Sequence, residues 1–163
     1  MTALPPIAHR AEVVVDLGAI RANIEWLKGQ RAQELMVVVK ANAYGHGMVE
    51  VARVAREAGV AWLGVATLDE ALELRASGDR GRILSWLHLP DEDFAAAAEH
   101  GIDVTAYSVD QLTAMAQVKG LRVQLKVDSG LSRGGASGAD WPHLVQAAAQ
   151  AQVALARVAS SLG

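Results

Sequence analysis

Five short apolar runs, each five to seven residues long and rich in β-branched side chains, recur along this chain about every twenty residues. They are Met36–Lys40, Trp62–Ala66, Ile83–Leu87, Asp103–Tyr107 and Arg122–Asp128, and a weaker sixth run covers Val153–Ser160. A stretch with helical punctuation separates each run from the next. Strands that read as nearly continuous apolar runs are buried on both faces, and helices between them return the chain in the same direction. The pattern therefore predicts an α/β fold around a parallel sheet.

The helical stretches carry their own start and stop signals. Asp16 can cap a helix whose apolar face is Leu17, Ile20, Ile24 and Leu27. Thr67 with Glu70 makes a capping-box pattern, and Ser108 with Gln111 repeats it. Val51, Val54, Ala55 and Ala58 line one face of a helix that should stop at Gly59, as Gly78 should stop the next.

Two architectures satisfy a repeated βα unit: a doubly wound open sheet and the closed (β/α)8 barrel of the TIM type. No G-x-G-x-x-G follows any of the runs. Lys40, Asp128 and Arg133 instead fall at or just beyond the C-terminal ends of strands, the catalytic face of a barrel. A barrel of this type is the expectation, with about six of its eight βα units present.

Composition narrows the function. The chain has 163 residues with no cysteine, which excludes thiolate catalysis, cysteine-bound zinc and disulfides. A net charge of −3 gives no electrostatic reason to expect a nucleic-acid partner. No apolar stretch reaches the roughly 18–20 residues of a membrane span. The first residues, with their prolines and charges, do not read as a signal peptide. The expectation is a cytoplasmic protein.

The stretch Val37–Gly47, VVVKANAYGHG, ends an apolar run on an amine. A lysine there is either a solvated strand end or, if desolvation lowers its pKa, a nucleophile able to condense with a carbonyl. Tyr44 could bring a phenol to the same mouth, His46 reads as a structural loop histidine, and Gly45 and Gly47 permit a sharp turn. In the run LKVDSGLSR, Lys126 and Asp128 alternate on one strand and so share a face. They are expected to pair, in the interior or at the rim. Arg133 follows in a glycine-dense loop, and its fork suits a carboxylate or a phosphate. Trp62, Trp86, Trp141 and Phe94 read as packing residues, and His88, His100 and His143 show no metal-ligand spacing.

Three segments together resemble the bacterial alanine racemases. VVKANAYGHG resembles that family's pyridoxal-phosphate lysine motif, Asn42 marking a mild departure, and residues 11–27 resemble its opening strand and first helix. LKVDSGLSRGG is similar to its K-x-D-[ST]-G-[LM]-x-R segment. The resemblance implies that Lys40 holds pyridoxal 5′-phosphate as an internal aldimine and acts as one acid/base, serving the D-alanine face. It implies that Tyr44 bonds the cofactor phosphate and that Arg133 orients the substrate carboxylate and the cofactor's phenolic oxygen. Lys126 matches a lysine often carbamylated in the family, which would make it an anion suited to Arg133.

Racemisation takes a proton from one face of Cα and returns it on the other, so it needs two bases, and this chain supplies only Lys40. In the family the opposing tyrosine lies in a C-terminal β-domain of the partner subunit in a homodimer. Ser161 also falls where the family has a histidine. The chain accordingly reads as a fragment, residues 1–163 forming a partial barrel domain in which residues 11–16 are a strand belonging with the absent domain. The competing reading is a non-catalytic barrel that binds or carries vitamin B6.

Overall fold

Six strands pair in chain order, every neighbour parallel, in the computed structural model, which describes residues 12–30, 34–89, 91–151 and, as backbone, 154–161. The elements run α1 (Leu17–Lys28), β1 (Met36–Val38), α2 (Lys40–Gly45), α3 (Met48–Glu57), β2 (Trp62–Val65), α4 (Leu68–Ala76) and β3 (Arg82–Ser85). They continue with α5 (Phe94–Glu99), β4 (Asp103–Ala106), α6 (Val109–Ala116), β5 (Arg122–Asp128), α7 (Trp141–Gln150) and β6 (Ala154–Ser161).

A doubly wound sheet reverses its strand order at some point, and this one never does. Each crossover returns to the adjacent strand in the same direction. Such connections share one hand, so the helices gather on one face of the sheet and the other face becomes an interior. This is the (β/α) barrel topology, carried through six consecutive strands.

The core lies between strands and helices. Leu63, Val65, Ile83, Val104, Val123 and Leu125 from the sheet meet Val54, Leu68, Leu74, Leu112, Met115 and Leu144 from the helices, all buried. Each such side chain contributes about 1.5–3 kcal/mol on burial. On β2, Gly64 leaves room that Trp86 and Met36 fill. A Cβ there would stand 2.7 Å from Trp86 Cζ3 and 2.9 Å from Met36 Sδ.

The caps form as the sequence suggests. Asp16 accepts the Ala19 N–H at 3.0 Å, Thr67 and Glu70 complete a capping box, and Ser108 accepts the Gln111 N–H at 3.2 Å. The apolar face of α1 is shorter than expected: Ile24 is buried, but Leu27, in the last turn, is exposed. Residues 12–16 form no strand, and Val13 and Val14 are exposed at 89% and 77%. Ala11 and Val153, expected as the first residues of two strands, lie outside the described residues. No helix among the described residues is long and apolar enough to cross a membrane.

At the N-terminal ends of the strands, ionic contacts hold the barrel floor. Asp103 is fully buried and takes Arg82 from β3 at 2.9 Å and Arg122 from β5 on its other oxygen. The Arg82 guanidinium also lies 4.2 Å from the centroid of the Trp62 ring.

Gly64→Ala should lower stability by about 1–3 kcal/mol, the usual cost of overpacking. Urea unfolding followed by circular dichroism reads it. An unchanged midpoint would contradict the packing of Trp86 and Met36 against β2.

Candidate functional site

The rim at the C-terminal ends of the strands carries the candidate groups. β1 ends at Val38, two residues before the expected end, and Val39 extends the pairing by one bond, its N–H donating to Gly64 O at 2.9 Å. Lys40 therefore opens the next element rather than closing the strand. That element is a left-handed turn: Ala41, Asn42, Ala43 and Tyr44 have φ between 50° and 54° and ψ between 40° and 47°.

Left-handed winding costs an L-residue roughly 1–2 kcal/mol, so the four together cost about 4–8 kcal/mol. Such a conformation persists only where its surroundings over-determine it. Here the Ala43 N–H donates to Val39 O at 2.8 Å and the Gly47 N–H to Asn42 O at 3.1 Å. The Asn42 side chain accepts the Met48 N–H at 2.8 Å, fixing the start of α3, and His46 Nδ1 lies 2.8 Å from Ala43 O. The Ala41 N–H donates to Glu70 Oε1 at 2.7 Å. Gly45 and Gly47, at φ +87° and +89°, let the chain leave the turn.

The turn presents a half-buried Lys40 whose Nζ lies 5.7 Å from the centroid of the Tyr44 ring. Among the described residues its amine has no hydrogen-bond or ion-pair partner. Tyr44 itself is 68% exposed. An unpaired amine beside an exposed phenol is a donor set that fits a ligand with both a carbonyl and an anionic group, as pyridoxal 5′-phosphate has.

The expected pairing of Lys126 with Asp128 does not form. The loop after β5 takes both groups instead. Lys126 Nζ donates to Gly134 O at 2.8 Å, while Asp128 Oδ1 accepts the N–H groups of Gly130 and Ser132 at 2.9 and 3.0 Å. Those two backbone N–H groups hold the Asp128 carboxyl below its ordinary value. Backbone groups a few residues away need little ordering to reach a strand end, which is why they displace the ion pair. Arg133, in the same loop, is exposed. Lys40 and Arg133 thus share a rim, reached from β1 and β5.

His88 shows no sequence signal beyond its spacing, yet it is buried just past β3, against Phe94. Its Nε2 lies 3.0 Å from Ser85 O, which requires the N–H there. Nδ1 is left with no hydrogen-bond partner among the described residues, and the Glu92 carboxylate lies 4.0 Å from it. Burial pushes the imidazole below its ordinary value of 6.5.

A cavity of about 960 Å³ lies at the opposite rim, lined in part by Arg75, Arg82, His100 and Arg122. Its arginines are already engaged: Arg75 with Asp79, His100 O and Gly101 O, and Arg82 and Arg122 with Asp103. In this architecture that end serves stability, and the open site is the strand C-terminal rim.

A parallel barrel with an unpaired lysine just beyond its first strand defines a class of lysine-bearing (β/α) barrels. The sequence profile of the alanine racemase N-terminal domain matches residues 15–162, and the chain belongs to that family. It is 51% identical over 148 residues to the alanine racemase of Salinispora arenicola, covering 88% of this chain and 40% of that one. The crystal structure of alanine racemase from a D-cycloserine-producing Streptomyces lavendulae superposes with a TM-score of 0.85 at 47% identity, covering 90% of this chain and 41% of that one. A histidine racemase from Leuconostoc mesenteroides superposes with a TM-score of 0.76 at 32% identity, covering 84% and 39%. The chain thus spans about 40% of the length of the relatives it matches.

His88 should make stability fall with acid. Its folded pKa is lowered, so the unfolded chain takes the proton first, and stability is complete above the ordinary value of 6.5 and declines as pH falls below it. Replacing His88 by Leu should flatten the unfolding midpoint between about pH 7 and pH 5. An unchanged slope would contradict the assignment.

Proposed function

We propose that this chain carries the cofactor-lysine portion of an alanine racemase, interconverting L- and D-alanine and so supplying D-alanine for peptidoglycan. The observation that carries the reading is the Lys40 amine, unpaired among the described residues, on a strained turn at the strand C-terminal rim, in a chain of the alanine racemase N-terminal domain family. Pyridoxal 5′-phosphate, when bound, supplies an electron sink that acidifies the Cα proton of the amino acid attached to it.

The residues of this chain then have distinct tasks. Lys40 would anchor the cofactor covalently and would hold and move a proton at its Nζ on the D face of Cα. Tyr44 would donate its phenolic O–H to the cofactor phosphate. Arg133 would orient the substrate carboxylate and the cofactor's phenolic oxygen. Its exposed loop is tied to β5 through Asp128 and Lys126. Carbamylation would convert Lys126 into an anion able to hold Arg133.

The opposing base is assigned to the part of the relatives' length that this chain does not span, acting in a homodimer in the cytoplasm. Binding of the cofactor without proton exchange is the alternative, a B6-binding barrel. It is favoured by the presence of one base where racemisation needs two.

Titrating the chain with pyridoxal phosphate tests the reading. The lysine adduct should absorb in the wild type and disappear in Lys40→Ala, while Arg133→Ala should retain it at about tenfold weaker affinity, the loss of one charged hydrogen bond. An adduct of equal strength in Lys40→Ala would overturn the assignment. Washout of the D-alanine α-proton into D2O separates the racemase from the carrier.

A further inference from the structure

One carboxylate holds the Lys40 turn from outside it. Glu70 Oε1 accepts the Ala41 N–H at 2.7 Å, and Oε2 accepts the N–H groups of Ala66 and Thr67 at 2.8 and 3.3 Å. A capping box requires only the bond to Thr67, the N-cap of α4. The other two bonds reach beyond the helix. Ala66 follows the last residue of β2, and Ala41 is the residue after Lys40, twenty-nine positions away in sequence. Among the described residues, Glu70 is the one side chain of another element that hydrogen-bonds the turn.

We infer that Glu70 is a positioning residue for Lys40: its carboxylate clamps the left-handed turn to the corner between β2 and α4 and so sets where the amine projects. Three N–H donors converge on two oxygens, an arrangement that only a carboxylate satisfies. A glutamine has one acceptor oxygen and an NH2 group, so at least one backbone N–H would face another donor. Bonds to the ionised group are also the stronger kind. The turn has little else to resist relaxation toward right-handed backbone, because its remaining bonds are local to it. The role assigned to Glu70 in catalysis rests on Lys40 being the cofactor lysine, whereas the clamp itself needs no cofactor.

Amide hydrogen exchange of the 163-residue chain tests it, in the wild type, Glu70→Gln and Thr67→Ala. In Glu70→Gln the Ala41 N–H should exchange at least about tenfold faster while Leu63, in the centre of β2, keeps its protection. Thr67→Ala, which removes only the capping hydroxyl, should leave Ala41 within about twofold of wild type. Pyridoxal phosphate affinity, read from the lysine adduct, should drop about tenfold in Glu70→Gln and stay within about twofold in Thr67→Ala. Unchanged Ala41 exchange in Glu70→Gln would overturn the clamp. So would an equal loss in Thr67→Ala, or loss of Leu63 protection along with Ala41, since either would make Glu70 a matter of folding alone. A wild-type chain that forms no adduct, with Ala41 responding as described, would instead overturn the reading of Lys40 and with it the positioning role.

Discussion

Parallel pairing in unbroken chain order is the constraint from which the rest follows. Because β1 to β6 all run the same way, every strand's C-terminal end falls on one rim and every N-terminal end on the other. The two rims have opposite chemistry. At the N-terminal rim, Arg82 and Arg122 close on the buried Asp103, and Arg56 and Arg75 close on Asp79. Those charges are satisfied and hold the loops. At the C-terminal rim stand an amine without a hydrogen-bond or ion-pair partner among the described residues and a loop whose arginine faces solvent.

Strain is concentrated at that same rim. Four consecutive non-glycine residues in left-handed conformation are costly, and the protein offsets the cost with a set of short bonds, one of which crosses from a different βα unit. A relaxed turn would leave Lys40 a mobile side chain free to sample solvent. A pinned one gives it a defined origin, which the proton exchange proposed for it requires. The barrel supplies position through its pairing, and the turn supplies direction.

Much of this was legible in the sequence, for identifiable reasons. β5 has the bounds the apolar run suggested, Arg122–Asp128, because a short apolar run is a local signal. The caps at Asp16, Thr67 and Ser108 were legible because each cap lies within four consecutive residues. What escaped was non-local. Ala-Asn-Ala-Tyr carries no glycine to announce a left-handed turn, and nothing near Glu70 indicates that its second oxygen serves a residue on another unit. Lys126 and Asp128 share a strand face as the period requires. The backbone of the following loop, whose path the sequence does not reveal, satisfies them separately. Leu27 fits the helical period but sits exposed in the last turn of α1.

The central claim is that one lysine, placed by β1 and its turn, is the attachment point for the cofactor. The chain carries three other lysines: Lys28 and Lys126 donate to the backbone oxygens of Ala58 and Gly134, and Lys119 lies on the surface. Borohydride reduction of the chain with pyridoxal phosphate, followed by peptide mapping, tests this most directly. A single modified peptide containing Lys40 is the predicted result. Modification spread over several lysines, or centred on Lys126, would contradict it.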